Sequence, residues 1–162
     1  MKIGFIGLGN MATAMIGGML QKGMAKPEDI IGSSKTEATA GKVKTKFNIN
    51  TTTDNAAVAE QADILFLAVK PIFFPEVIAE IKDAVKADTL IVSIAAGRNL
   101  QYLKDAFGRP ELKLIRCMPN TPAWYWRAVP VYASEKMSRM MRQSRCFPCS
   151  VPSASQVSYR SV

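Results

Sequence analysis

The sequence predicts an α/β fold, a doubly wound parallel sheet with helices on both faces. Three observations carry that reading. Through the first 123 residues, short apolar runs alternate with longer stretches of helical periodicity, about five times over. The apolar runs are continuous rather than alternating, as in strands covered on both faces. The unusual local sequences, rich in Gly, Pro, Asn and Ser, fall where those runs end, which is where ligands bind in open α/β sheets.

The elements follow in order. Residues 1–7 (MKIGFIG) are a buried strand ending in glycine, and residues 10–23 are a helix with apolar positions Met11, Ala14, Met15, Gly18 and Met19, stopped by Gly23. Ile30-Ile31 is a second short strand, Gly32-Ser33-Ser34-Lys35 a turn, and 36–46 an exposed helix. Residues 48–52 read as a short strand, and Asp54 is placed to cap a helix over 55–61. Asp63–Val69 is a strong buried strand, which Lys70-Pro71 ends because proline cannot extend a central ladder. Residues 73–86 give an amphipathic helix with Phe74, Val77, Ile78 and Ile81 on one face. Thr89–Ile94 is a strand, Asn99 caps a helix reaching Phe107, and Leu112–Cys117 is the last strand. The alternation is that of a Rossmann-type sheet.

After Pro122 the character changes. Trp124 to Tyr132 holds both tryptophans, residues 137–145 are basic, and residues 146–162 are rich in Ser, Pro and Val. Neither period survives, so 124–162 reads as an irregular tail with at most one short helix near 134–144. The net charge of +8 divides unevenly: residues 1–123 carry 15 Lys/Arg against 12 Asp/Glu, and residues 124–162 carry 6 against 1. In the first part both signs are interspersed, as on a solvated surface, which argues against a nucleic-acid-binding domain. No apolar run is long enough to span a membrane. The chain enters an apolar strand at once, without a basic lead or a cleavage site, so no secretory signal is expected and the cytoplasm is the expected location.

Cys117, at a strand end, reads as a buried small hydrophobe. Cys146 and Cys149 have redox or metal spacing, but with no histidine and no second pair they make no zinc site, so no metal is expected.

The sharpest motif is Gly7-Leu8-Gly9-Asn10-Met11-Ala12, a GxGxxA between a strand and a helix. Gly7 allows the tight turn, Gly9 lets a pyrophosphate approach the backbone, and Ala12 lets the helix pack on the strand. The helix N-terminus then offers free N–H groups to phosphate. A dinucleotide is therefore the expected cofactor. Enzymes that take NAD usually place a carboxylate at the end of the second strand; here the segment Gly32-Ser33-Ser34-Lys35 has none. Two hydroxyls and an ammonium suit a 2′-phosphate, so NADP(H) is preferred and NAD(H) is second. Ala68-Val69-Lys70-Pro71 and Met118-Pro119-Asn120-Thr121-Pro122 are proline-fixed turns at strand ends, read first as strand terminators. Lys70 and Asn120 are candidates to touch the nicotinamide half.

Taken together, MKIGFIGLGNMA, the Ser33-Ser34 turn, ADILFLAVKP at 62–71, IVSIAAG at 91–97 and IRCMPNTPA at 115–123 resemble pyrroline-5-carboxylate reductase. The resemblance covers residues 1–123. It implies reduction of the cyclic imine 1-pyrroline-5-carboxylate to L-proline with NAD(P)H, the last step of proline synthesis. It also implies that the dinucleotide is held by Ile6, Gly7, Leu8, Gly9, Asn10 and Met11; by Ser34 with Lys35; by Asn55; by Ala68, Val69, Lys70 and Pro71; and by Ile94, Ala95 and Ala96, with Asn120 near the reacting ring. No catalytic residue is assigned.

The family's second, helical domain carries its substrate pocket and its dimer interface, and residues 124–162 do not match it. The expectation is therefore a cofactor-binding domain over 1–123 followed by a tail that is out of frame or truncated. Such a chain would bind the dinucleotide and be inactive alone. Two other readings remain from the residues: a hydroxyacid dehydrogenase, which GLGNM alone also fits, and a non-enzymatic dinucleotide-binding module.

Overall fold

The computed structural model describes residues 1–117, apart from Ala96 and Arg98, together with the two-residue strand Tyr132–Ala133. The elements run β1 (Ile3–Ile6), α1 (Asn10–Gln21), β2 (Ile30–Ser33), α2 (Glu37–Phe47), β3 (Asn50–Thr52), α3 (Asn55–Gln61), β4 (Ile64–Leu67), α4 (Phe74–Ile81), β5 (Leu90–Ser93), α5 (Leu100–Phe107), β6 (Lys113–Cys117) and β7 (Tyr132–Ala133). Single turns of 3-10 helix at Pro27–Asp29 and Pro71–Phe73 lead into β2 and α4.

The sheet order is β3-β2-β1-β4-β5-β6-β7. The first six strands are parallel and the last is antiparallel. The six parallel strands form the doubly wound sheet expected from the sequence, and their order places the switch point between β1 and β4. The addition is β7, which pairs Tyr132 and Ala133 with Cys117 and Arg116 inside the segment read as irregular. The short helix near 134–144 and the pair Cys146 and Cys149 lie outside the described residues.

Each central strand buries side chains on both faces, and that divides the core in two. On one face Phe5, Phe66, Val92 and Ile115 pack with Ala12, Ile16 and Met19 of α1 and Val43 of α2. Phe5 and Phe66, in register on β1 and β4, stack with ring centroids 4.7 Å apart. On the other face Ile6, Leu65, Leu67, Ile91 and Leu114 pack with Val58 of α3, the α4 residues Phe74, Val77, Ile78 and Ile81, and Leu103 and Phe107 of α5. The apolar face read for α4 is therefore the buried one. Its helix is shorter than expected, because residues 82–85 turn away after Ile81.

In α1 the inward positions Ala12, Ala14, Ile16 and Met19 differ from the expected stripe, and Met11 and Met15 are only half-buried. The helix is apolar on most sides, so periodicity alone leaves its rotation uncertain by one position. The caps are as read. The Asp54 carboxylate accepts from the Ala56 and Ala57 amides at 2.8 and 3.2 Å, and the Asn99 side chain accepts from Tyr102 at 2.7 Å. Cys117 is buried, and that burial pushes its thiol up to about 11. No helix among the described residues is long and apolar enough to cross a membrane.

Candidate functional site

Backbone pairing continues one residue beyond the strands at their carboxyl ends. The Gly7 amide donates to Ser33 O, the Ala68 amide to Ile6 O, and the Ile94 amide to Leu67 O. Those three bonds bring the Gly7 turn and the segments starting at Ser34, Ala68 and Ile94 into one row along the sheet edge. Asn55 joins the row as the first residue of α3, three positions beyond the end of β3. Of the candidate residues, Ala96 and Asn120 lie outside the described residues.

The glycine turn has the geometry its sequence requires. Gly7 has φ +95°, and a side chain there would meet Val69 Cγ1 at 2.7 Å and the Ala68 carbonyl at 3.0 Å. Only glycine meets both demands. Gly9 has an ordinary φ of −76° at the α1 N-cap, and a Cβ built on it meets nothing within 4 Å. Its lack of a side chain is thus not needed for packing; it keeps open the space in front of the helix. Ala12 is fully buried behind the turn. No side chain caps α1 and no acidic residue sits in its first turn. By helix geometry the amides of Asn10, Met11 and Ala12 have no acceptor within the helix, so they are free to donate to an anion, with the positive end of the dipole behind them. Ile6 and Leu8 are buried, so they can offer a ligand only backbone. This cradle fits a dinucleotide pyrophosphate.

At the end of β2 the structure corrects part of the sequence reading. Gly32 and Ser33 are strand residues rather than turn residues. The Ser33 side chain is fully buried and donates to Asn55 Oδ1 at 2.6 Å, so its hydroxyl is not free for a phosphate. The Ser34 hydroxyl donates to Thr36 O at 2.7 Å and keeps lone pairs but no proton in that rotamer. Lys35 is exposed, and its ammonium lies 5.8 Å from the centroid of the Phe73 ring. Of the three polar groups expected to meet a 2′-phosphate, Lys35 alone is uncommitted by a hydrogen bond. No carboxylate occupies the segment 32–35, as read.

Pro71 opens the 3-10 turn after β4 as its first residue, where its missing N–H costs nothing. That turn leaves Ile72 75% and Phe73 41% exposed beside Lys35, a small apolar shelf at the row of strand ends. The sequence reading did not single out either residue. A signal was present: Phe74 belongs to the buried stripe of α4, which leaves the adjacent Ile72 and Phe73 on other sides.

Comparison with known proteins agrees with this geometry. Over 122 residues the chain is 43% identical to the pyrroline-5-carboxylate reductase of Escherichia coli, a match covering 75% of this chain and 45% of that protein. The solved structure of a pyrroline-5-carboxylate reductase from Coxiella burnetii aligns with TM-score 0.80 at 30% identity, over 87% of this chain and 52% of the other. The Plasmodium falciparum pyrroline carboxylate reductase, solved with NADP bound, aligns with TM-score 0.70 at 31% identity, over 83% and 48%. The chain thus spans about half the length of the relatives it matches, and the likeness read from the motifs of residues 1–123 holds at the level of both sequence and fold. The model of the family described as NADP oxidoreductase, coenzyme F420-dependent, matches residues 2–97, more than half of the chain, and the chain belongs to that family.

Proposed function

We propose that this chain is the cofactor-binding half of a pyrroline-5-carboxylate reductase, holding NADPH for reduction of the imine 1-pyrroline-5-carboxylate to L-proline. The observation that supports it best is the cradle at Gly7–Ala12: a positive-φ glycine, open space at Gly9 and three helix amides without acceptors, aligned with the ends of β2, β4 and β5. Residues 1–123 form the binding unit. The amides of Asn10, Met11 and Ala12 hold the pyrophosphate, Lys35 and Ser34 face the adenosine ribose, and Ala68–Pro71 with Ile94 and Ala95 line the path toward the nicotinamide. When bound, the reduced nicotinamide supplies the hydride that saturates a C=N bond. The protein's part is to fix the ring and to keep the phosphates paired.

Lys35 supports NADPH over NADH. Its cation–π contact with Phe73 is exposed and worth about 0.5–1 kcal/mol, whereas a bond from an ammonium to a phosphate is worth about 1.5–3 kcal/mol. A 2′-phosphate therefore wins the ammonium from the ring. The test is a fluorescence titration of the chain with NADPH and with NADH, run beside an assay of imine reduction. Saturable binding with NADPH tighter than NADH is expected. Failure to bind either dinucleotide overturns the proposal, and tighter NADH overturns the assignment of Lys35.

A further inference from the structure

Three elements meet at Asn55. The buried Ser33 hydroxyl, at the end of β2, donates to Asn55 Oδ1 at 2.6 Å. Asn55 Nδ2 donates to Glu80 Oε2 on α4, also at 2.6 Å. The same Ser33 hydroxyl lies 3.5 Å from Phe5 O on β1. The chemistry of the groups fixes which way the amide points. An ionised carboxylate only accepts, so the atom of Asn55 facing Glu80 must be its nitrogen, and its oxygen must face the serine.

An asparagine side chain has two N–H donors and one carbonyl oxygen. Here the oxygen is engaged by Ser33 and one N–H by Glu80. One N–H remains. Asn55 is half-buried and is the first residue of α3, in the row of strand ends beside Ser34. We infer that Glu80, with Ser33, is a positioning residue: it locks Asn55 as a single-proton donor aimed at an acceptor oxygen on the adenosine ribose of the dinucleotide. Without Glu80 the amide would be free to turn, and its N–H would no longer be held toward that ribose oxygen. The inference rests on the proposed dinucleotide site and adds to it a residue on α4.

A carboxylate at this place has a further consequence. Glu80 is exposed and negatively charged, so as a bare charge it would disfavour an anionic ligand nearby. Its hydrogen bond and its charge therefore act in opposite directions on binding, and variants can separate them.

The experiment is a double-mutant cycle on the whole chain, read as dissociation constants for NADPH and NADH by fluorescence. Asn55→Ala weakens both about tenfold, the loss of roughly one hydrogen bond to a ribose oxygen. Glu80→Ala weakens both by a similar factor. Glu80→Gln, which keeps an acceptor and removes the charge, binds both within about twofold of the unmodified chain or tighter. In the Asn55→Ala background, Glu80→Ala adds less than about twofold, because there is no amide left to orient. Three results overturn the inference while leaving the dinucleotide site standing: unchanged binding by Glu80→Ala, equal losses in Glu80→Ala and Glu80→Gln, or an undiminished Glu80→Ala loss in the Asn55→Ala background. If the unmodified chain binds no dinucleotide, the site and the inference fall together. Melting temperature, measured on each variant, identifies any loss that comes from unfolding.

Discussion

The two edges of the sheet are built from the same strands and treat their polar groups in opposite ways. At the amino edge, polar groups are tied off within the chain. The Lys2 amide donates to Asp63 at 2.7 Å and its ammonium to Glu28 O at 2.7 Å. The buried Thr89 hydroxyl donates to Ala62 O at 3.0 Å, Arg109 donates to Val85 O at 2.8 Å, and Lys113 meets Asp88 at 2.7 Å. At the carboxyl edge, the Asn10–Ala12 amides, the Lys35 ammonium and one Asn55 N–H are held back from such bonds, and Ile72 and Phe73 stay exposed. An edge that satisfies its polar groups internally contributes stability. An edge that withholds them leaves bonding capacity that a ligand can take over from water. Substitutions at the two edges should therefore separate stability from binding.

The largest effect is expected from Gly9→Val. Its backbone angles suit any residue and a Cβ meets nothing within 4 Å, so the fold tolerates the change. The added methyls occupy the space in front of the α1 amides. NADPH affinity should fall more than about a hundredfold, given that several phosphate bonds of roughly 1.5–3 kcal/mol each are lost together. The melting temperature should move little. Retained NADPH binding in a titration would remove the pyrophosphate from this place.

Lys35→Ala sharpens the same edge. It should weaken NADPH about tenfold, or roughly 1.4 kcal/mol, and leave NADH unchanged. Equal losses for both cofactors would mean that Lys35 serves something other than the 2′-phosphate.

Thr89→Val tests the opposite edge. The side chain is 1% exposed and the replacement has nearly the same shape, so the change chiefly removes a donor from a buried carbonyl. That costs about 1–3 kcal/mol and should lower the melting temperature by several degrees, with NADPH affinity unchanged. A binding defect without a melting shift would break the division between the edges.

How much of this was legible in the sequence follows from the kind of interaction involved. While several element ends, such as those of β2 and α4, shifted by two or more residues, the alternation of strands and helices came through because continuous apolar runs and caps such as Asp54 and Asn99 act locally. So did the Gly7 turn, whose residue types are dictated by backbone geometry. Ser33 was misplaced because a serine at a strand end looks the same whether its hydroxyl faces water or, as here, Asn55 twenty-two positions away. Glu80 was invisible for a like reason: on a surface helix it reads as one more solvated charge, and its bond to Asn55 exists only once α3 and α4 pack together. The rotation of α1 was lost because a helix apolar nearly all round carries little phase information. Local chemistry is written in the sequence; a contact between elements is written only in the fold.

The smallest effect is expected at Asp88. Its hydrogen bond and charge attraction with Lys113 hold the carboxyl below its usual value of 3.8. A carboxyl whose folded-state value is depressed stabilises the fold above its unfolded value and loses that contribution as pH falls through the folded one. Any stability from this pair is therefore present at neutral pH and disappears only on acidification below 3.8. The pair is fully exposed on the Asp88 side, so salt screens it and its share at neutral pH is slight. Asp88→Asn should melt marginally below the unmodified chain near neutrality in low salt. The two should converge both in strong acid and in high salt, with identical NADPH titrations throughout. A gap that persisted in acid would assign the effect to packing at the start of β5 rather than to the ion pair, and would place Asp88 with Thr89 among the groups that the amino edge buries for stability.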